Sequence, residues 1–203
     1  TTVFLKGCPL NCRWCHNPET QDFGRSVLVN GERCSGCGRC EAVCPQGGAG
    51  GCTGCEACLD VCLAEARELS GAEWTLEALV HEIEKDRAFY ETSGGGVTLS
   101  GGEVLSQPEA AAETARLCHE RGLHVAVDTC GFAPYSAFEA LLDYTDLFLY
   151  DLKLMDTALH LAETGVESRL ILDNLRRLSD SGACINLRLP LIEGINADRE
   201  NIA

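Results

Sequence analysis

The sequence predicts an α/β fold: a partial, open, parallel β/α barrel of the TIM type, carrying one small inserted cysteine-rich domain. Three observations predict it. Short apolar runs alternate with longer runs of helical periodicity from about residue 75 onward, the sign of parallel strand–helix units. The strand-like runs are short and mostly apolar, as strands covered on both faces are. Residues 31–66 interrupt the alternation with closely spaced cysteines.

Taken in order, Thr2-Val3-Phe4-Leu5 reads as the first strand. After Thr75, a candidate N-cap, Leu76, Leu79, Val80, Ile83 and Phe89 fall near helical spacing, which predicts a helix from Leu76 to Tyr90 ended by Gly94-Gly95-Gly96. Val97-Thr98-Leu99-Ser100 is a short buried strand, and Pro108 opens an alanine-rich helix closed by Gly122. The cycle repeats as strand His124 to Val127, helix Tyr135 to Tyr144, strand Leu147 to Leu152, helix Arg169 to Leu178 with Gly182 beyond it, and strand Ile185 to Leu189. That makes five strands, where a closed barrel of this type has eight. The expected organisation is therefore a first strand and loop over 1–30, an insertion over 31–66, and the remainder of a partial barrel over 67–203. The strand at the very start and the unfinished helix pattern from Asp198 to Ala203 read as an internal fragment lacking its C-terminal part.

Composition narrows the class. A chain of 203 residues, 45% hydrophobic, can bury a sizeable core, and 14 cysteines without a signal-peptide pattern point to a reducing cytoplasm. No apolar run reaches membrane length. A formal charge of −15 argues against a nucleic-acid partner, since such binding needs basic patches that release counterions.

The chemistry is concentrated in the cysteines. Cys8, Cys12 and Cys15 form CxxxCxxC, and the next cysteine, Cys34, lies too far along to share their loop. Three thiolates on a 4Fe-4S cube leave one iron without a protein ligand, and that iron is free to bind a substrate. Structural zinc instead wants four ligands in paired CxxC units, and disulfides want an oxidising compartment.

A second field follows. Cys34, Cys37, Cys40 and Cys44 stand in CxxCxxCxxxC spacing before Pro45, and Cys52, Cys55, Cys58 and Cys62 repeat it with Leu63 in place of the proline. This is the two-cluster ferredoxin pattern, in which the fourth cysteine of each run ligates the other run's cluster. The expected sets are Cys34, Cys37, Cys40 with Cys62, and Cys52, Cys55, Cys58 with Cys44, in a ferredoxin-like insertion; zinc remains the alternative.

Parallel barrels carry catalytic groups at the C-terminal ends of their strands. There the sequence places the Cys8 triplet, Gly101-Gly102-Glu103, Asp128-Thr129, Asp151 with Lys153, and Arg188. Asp151 and Lys153 share one face of an otherwise apolar strand, where charge is costly without a ligand or partner. Cys118, Cys130 and Cys184 have no cluster spacing and read as buried thiols, with Cys130 close to this rim; His81, His119, His124 and His160 read as structural or surface residues.

Phe4-Leu5-Lys6-Gly7-Cys8-Pro9-Leu10-Asn11-Cys12-Arg13-Trp14-Cys15-His16-Asn17-Pro18-Glu19, with Ser100-Gly101-Gly102-Glu103, Asp128-Thr129-Cys130-Gly131 and Asp151-Leu152-Lys153, resembles the radical SAM activating enzymes of glycyl radical enzymes. The insertion is similar to that of activases of decarboxylases, dehydratases and related lyases, and is absent from the simpler pyruvate formate-lyase type. The resemblance implies that S-adenosylmethionine chelates the open iron, that one electron cleaves it, and that the 5′-deoxyadenosyl radical takes a hydrogen from a glycine of a partner glycyl radical enzyme. It implies three 4Fe-4S clusters and an electron donor such as flavodoxin or ferredoxin. By the same resemblance Cys8, Cys12 and Cys15 ligate the catalytic cluster while Trp14 and His16 shape its surroundings. Gly101, Gly102 and Glu103 receive the methionine amino group; Asp128, Asp151 and Lys153 line the carboxylate and ribose side, the two aspartates holding a monovalent cation. Arg188 matches a family stretch that usually has proline where Glu193 stands. The alternatives are a radical SAM enzyme with a small-molecule or peptide substrate, and a non-enzymatic electron carrier.

Overall fold

The computed structural model describes residues 1–47, 52–198 and 201. In chain order the elements are β1 (Thr2–Leu5), β2 (Ser26–Val29), α1 (Arg39–Val43), α2 (Ala57–Asp60), β3 (Arg67–Ser70), α3 (Leu76–Glu84), α4 (Arg87–Ser93) and β4 (Gly96–Gly101). They continue as α5 (Pro108–Glu120), β5 (His124–Thr129), α6 (Tyr135–Glu139), β6 (Leu147–Asp151), α7 (Thr157–Thr164), α8 (Arg169–Asp180) and β7 (Ile185–Arg188). The chain divides into two compact units, residues 1–21 with 74–203, and residues 22–73.

The first unit is a five-stranded parallel sheet in the order β1-β4-β5-β6-β7. Strand order follows chain order, so the strand ends bring their loops to one edge in sequence. Val97, Leu99, Val125, Val127, Phe148 and Tyr150 are buried from the sheet, and Val80, Ala111, Ala115, Phe138, Leu141, Ile171 and Leu178 meet them from the helices. Phe138 lies over Phe148 and Tyr150 at ring separations of 6.3 and 6.4 Å. Fully burying each such ring stabilises the fold by roughly 1.5–3 kcal/mol, and these contacts fix the floor on which the strand-end loops stand.

Two expected helices are broken. Thr75 Oγ1 caps α3 by accepting from the Ala78 N–H at 3.2 Å, as its position suggested, but α3 stops at Glu84 and α4 starts at Arg87. The Tyr90 hydroxyl donates to the Ile83 carbonyl at 2.9 Å, satisfying a group exposed by the break. The helix expected over Tyr135 to Tyr144 ends at Glu139 and resumes as a 3-10 turn at Leu142–Tyr144. Helix α7 was not anticipated. It buries His160 and Thr164 while Leu159 and Leu161 face out, so its apolar pattern points the wrong way for an amphipathic reading.

The second unit holds the antiparallel pair β2–β3 in register Ser26↔Ser70 to Val29↔Arg67, bracketing the cysteine field, with the short helices α1 and α2 between. Among its described residues Ala66 is the only buried apolar side chain. A unit of this size without an apolar core needs another source of cohesion.

Candidate active site

The loop after β1 is tied down before it reaches the first cysteine. Gly7 and Cys8 donate their N–H groups to the Thr20 and Gln21 carbonyls at 2.7 and 3.0 Å, and the Gln107 side chain donates to the Lys6 carbonyl at 2.7 Å. Farther along, Asn11 N–H donates to the Thr164 carbonyl at 2.7 Å and Arg13 N–H to that of Glu163 at 3.1 Å. The end of α7 thus props the Cys12 turn, and an Arg13–Glu163 ion pair at 3.1 Å adds to it. These supports lay outside the sequence reading because α7 did.

A cavity of about 360 Å³ opens over the strand ends. Cys8, Cys12, Trp14, Cys15 and His16 line it from the β1 loop, Gly101 and Gly102 from β4, Asp128, Thr129 and Cys130 from β5, and Asp151 and Lys153 from β6 and its exit. Ser100 and Asn17, from the quoted motifs, also line it, as do Thr20, Gln21, Pro190 and Ile192, to which the sequence assigned no role. Burial pushes the Cys8 thiol up to about 11 and raises Cys12 also, against the pull of the Lys153 ammonium on Cys12. Thiols so placed are protonated until a metal displaces the proton. Among the described residues no three cysteine, histidine or acidic side chains converge as a single ion requires. The three thiols of CxxxCxxC line the same cavity, the ligand number that leaves one iron of a cube open.

Two of the expected site residues stand elsewhere. Glu103 does not line the cavity. It is 1% exposed, and its carboxylate accepts from Leu105 N–H at 3.0 Å, Thr129 Oγ1 at 2.6 Å and Cys130 N–H at 2.7 Å. Burial raises its pKa against those hydrogen bonds. The group expected to receive an amino group is instead a buried strut joining the β4 and β5 ends. Arg188 also lies behind the lining: it donates to Asp128 through Nη2 and to Asp151 through Nε at 2.7 Å. Ser100 Oγ donates to the other Asp128 oxygen at 2.9 Å, and Lys153 to the other Asp151 oxygen at 3.2 Å. All four aspartate oxygens therefore have protein partners, and the positive charge between them comes from Arg188 and Lys153. A monovalent cation there would have to displace one of these. Burial disfavours the Lys153 ammonium, but Asp151 and the thiols of Cys12 and Cys130 outweigh it, and its pKa is raised.

The glycine pair answers to the chain's own backbone as well as to the cavity. A β-carbon on Gly102 would lie 2.5 Å from the Thr20 carbonyl oxygen and 2.6 Å from that of Gly7, and one on Gly101 would run into the Leu5 backbone. Gly102 and Glu103 N–H groups donate to the Leu5 and Gly7 carbonyls at 2.9 and 2.8 Å, so the β1 loop and the β4 end share one hydrogen-bonded seam. Cys130 is buried at the cavity floor, as expected; Cys184, expected to be buried, is exposed in the turn before β7. His160 is buried in α7, its Nδ1 2.6 Å from the Val166 carbonyl and 2.9 Å from Thr164 Oγ1.

In the second unit Cys34, Cys37, Cys40 and Cys62 line one small cavity, and Cys44, Cys52, Cys55 and Cys58 line another.

The Radical SAM superfamily profile matches residues 2–203. The trans-4-hydroxy-L-proline dehydratase activating enzyme of Clostridioides difficile is 49% identical over 216 aligned residues, covering 100% of this chain and 71% of the relative. The choline trimethylamine-lyase activating enzyme of Oleidesulfovibrio alaskensis is 43% identical over 217, covering 100% and 70%. A solved domain of the pyruvate-formate lyase-activating enzyme of Bacteroides vulgatus superposes with a TM-score of 0.51 at 41% identity, over 54% of this chain and 68% of that one. With the open triplet, the glycine seam and the paired aspartates in one cavity, these likenesses leave no room for a bare electron carrier: the chain belongs to the radical SAM superfamily and, within it, to the activating enzymes of glycyl radical enzymes.

Proposed function

We propose that this activating enzyme serves a glycyl radical dehydratase or lyase, that Cys8, Cys12 and Cys15 hold its catalytic 4Fe-4S cluster beside S-adenosylmethionine, and that residues 22–73 hold two further 4Fe-4S clusters. The observation that carries the site assignment is that Cys8, Cys12 and Cys15 line one cavity together with Asp128, Asp151 and Lys153. Bound there, cluster and cofactor together supply one-electron reductive cleavage and the 5′-deoxyadenosyl radical that takes the glycine hydrogen. The protein's part is placement. The glycine seam offers backbone groups at the cavity edge, Trp14 and His16 line the same cavity from the β1 loop, and the Arg188-braced aspartates with Lys153 present fixed charge to a zwitterionic ligand.

Two observations support the auxiliary clusters. The cysteines lining the two small cavities are the two crossed sets expected from the ferredoxin spacing, and the unit that holds them has almost no apolar core to stand on. The partner is inferred from likeness: at 49% identity to an activator of trans-4-hydroxy-L-proline dehydratase, an enzyme of that type is the first candidate. A low-potential carrier such as flavodoxin or ferredoxin supplies the electron, and a reducing cytoplasm suits both. Among the described residues no helix is long and apolar enough to cross a membrane.

The test is anaerobic reconstitution followed by electron paramagnetic resonance of the reduced protein with and without S-adenosylmethionine, then incubation with a trans-4-hydroxy-L-proline dehydratase and, separately, a choline trimethylamine-lyase. The expected outcome is a cluster signal that changes on adding cofactor, is abolished by Cys12→Ala, and leads to a glycyl radical on the dehydratase. A cofactor-indifferent signal would refute the site assignment; a radical on the choline enzyme alone would refute the partner.

A further inference from the structure

The two cysteine sets of residues 22–73 sit in different electrostatic surroundings. Arg39 and Arg67 line the cavity of Cys34, Cys37, Cys40 and Cys62, whereas among the described residues Glu56 is the one charged side chain lining the cavity of Cys44, Cys52, Cys55 and Cys58. Glu56 is paired with Arg25 at 2.9 Å, which cancels much of its field.

Arg67 differs from an ordinary surface arginine in how it is held. Its backbone is fixed opposite Val29 in the β2–β3 ladder, immediately after the last cysteine loop, and its side chain is half-buried. Its Nη2 donates to Cys40 Sγ at 2.8 Å, and the N–H of the preceding Ala66 donates to Cys62 Sγ at 3.3 Å. Two ligands of one set are thus hydrogen-bonded from consecutive residues. The Arg67 charge also reaches Cys58 of the other set, as a field.

A reduced cube carries one more negative charge than an oxidised one, so a neighbouring cation and N–H···S hydrogen bonds stabilise the reduced form and raise the potential. Partial burial keeps solvent from screening this. We infer that Arg67 sets the two auxiliary clusters apart in reduction potential, so that one electron delivered to the pair rests on the cluster of Cys34, Cys37, Cys40 and Cys62. In that exchange the other reduced cluster is oxidised by one electron and this one reduced by one, with no bond made and no proton moved; a low-potential one-electron carrier supplies the electron. The inference rests on the two-cluster reading above.

The experiment is an anaerobic redox titration followed by electron paramagnetic resonance, on the full chain carrying Cys8→Ala, Cys12→Ala and Cys15→Ala so that only the auxiliary clusters report. Iron and sulfide are assayed first: about eight irons per chain are expected of two cubes, and fewer than that would sink the two-cluster reading itself, whatever Arg67 does. With the iron in place, two separate one-electron steps are expected. Arg67→Gln lowers the upper step toward the lower one, and Arg67→Lys, which keeps the charge but not the planar fork, lowers it by less. The lysine variant also serves if the glutamine variant loads iron poorly. Steps that stay where they are in both variants, or that move equally, would overturn the assignment to Arg67.

Discussion

The Glu103 carboxylate, which the sequence places at the end of a strand beside two glycines, does its work out of sight of the cavity. Three donors from two strand ends converge on it. Glu103→Ala leaves all of them facing a void and is expected to cost about 3–5 kcal/mol of unfolding free energy. Glu103→Gln keeps an acceptor for some donors, turns an amide against another, and is expected to cost about 1–3 kcal/mol. Urea unfolding of the reconstituted protein measures both. The glutamine variant should still show the cofactor-dependent change in its cluster signal, because the carboxylate does not reach the ligand space. Loss of that change in a folded, loaded Glu103→Gln protein would return Glu103 to the role of a direct ligand. Sequence made Gly101-Gly102-Glu103 visible as a unit, but two glycines at a strand end look the same whether a ligand or the chain's own Leu5, Gly7 and Thr20 approaches them.

At the scale of elements, α7 shows why part of the site stayed illegible. The triplet loop is positioned from Asn11 and Arg13 by the last carbonyls of a helix about 150 residues away, and backbone acceptors carry no side-chain signature. His160 anchors that helix from inside. Burial lowers its pKa, against the hydrogen bond to the Val166 carbonyl, so the folded state holds a neutral imidazole. The sign follows: the unfolded chain takes up a proton near pH ~6.5, the folded chain only at lower pH, so stability is full above that value and falls as pH drops through it toward the folded pKa. His160→Gln should lower stability at neutral pH and flatten this part of the curve. The check is denaturant unfolding of both proteins between about pH 5 and 7.5, read as the difference in slope. The seam between β1 and β4 gives a sharper case. Gly102→Ala puts a methyl against two carbonyl oxygens and should cost more than about 2 kcal/mol, with iron loading at the Cys8 loop lost alongside, since the same seam shapes that loop.

For the whole molecule, the alternation of parallel strands with helices and the gathering of polar groups at one edge were readable because the strand runs are mostly apolar and charged residues stand where their loops begin. The charge arrangement at that edge was not: that Arg188 stands behind Asp128 and Asp151 depends on three neighbouring strands in register, which spacing along the chain cannot convey. The second unit reverses the usual relation between core and function. Its cysteine spacing matches the two-cluster ferredoxin pattern, and Ala66 is its one buried apolar side chain among the described residues. The first unit, by contrast, closes over a continuous core from Val80 to Leu178. Metal and fold should therefore be linked in one unit and separable in the other. Hydrogen exchange of the full chain before and after anaerobic loading with iron and sulfide measures this peptide by peptide. Residues 22–73 are expected to exchange almost freely in the iron-free protein and to gain protection of at least about tenfold on loading, while β4, β5 and β6 stay protected throughout. Equal protection of residues 22–73 in both states would mean that the β2–β3 pair and its loops stand without clusters, and would remove the physical reason for expecting them there.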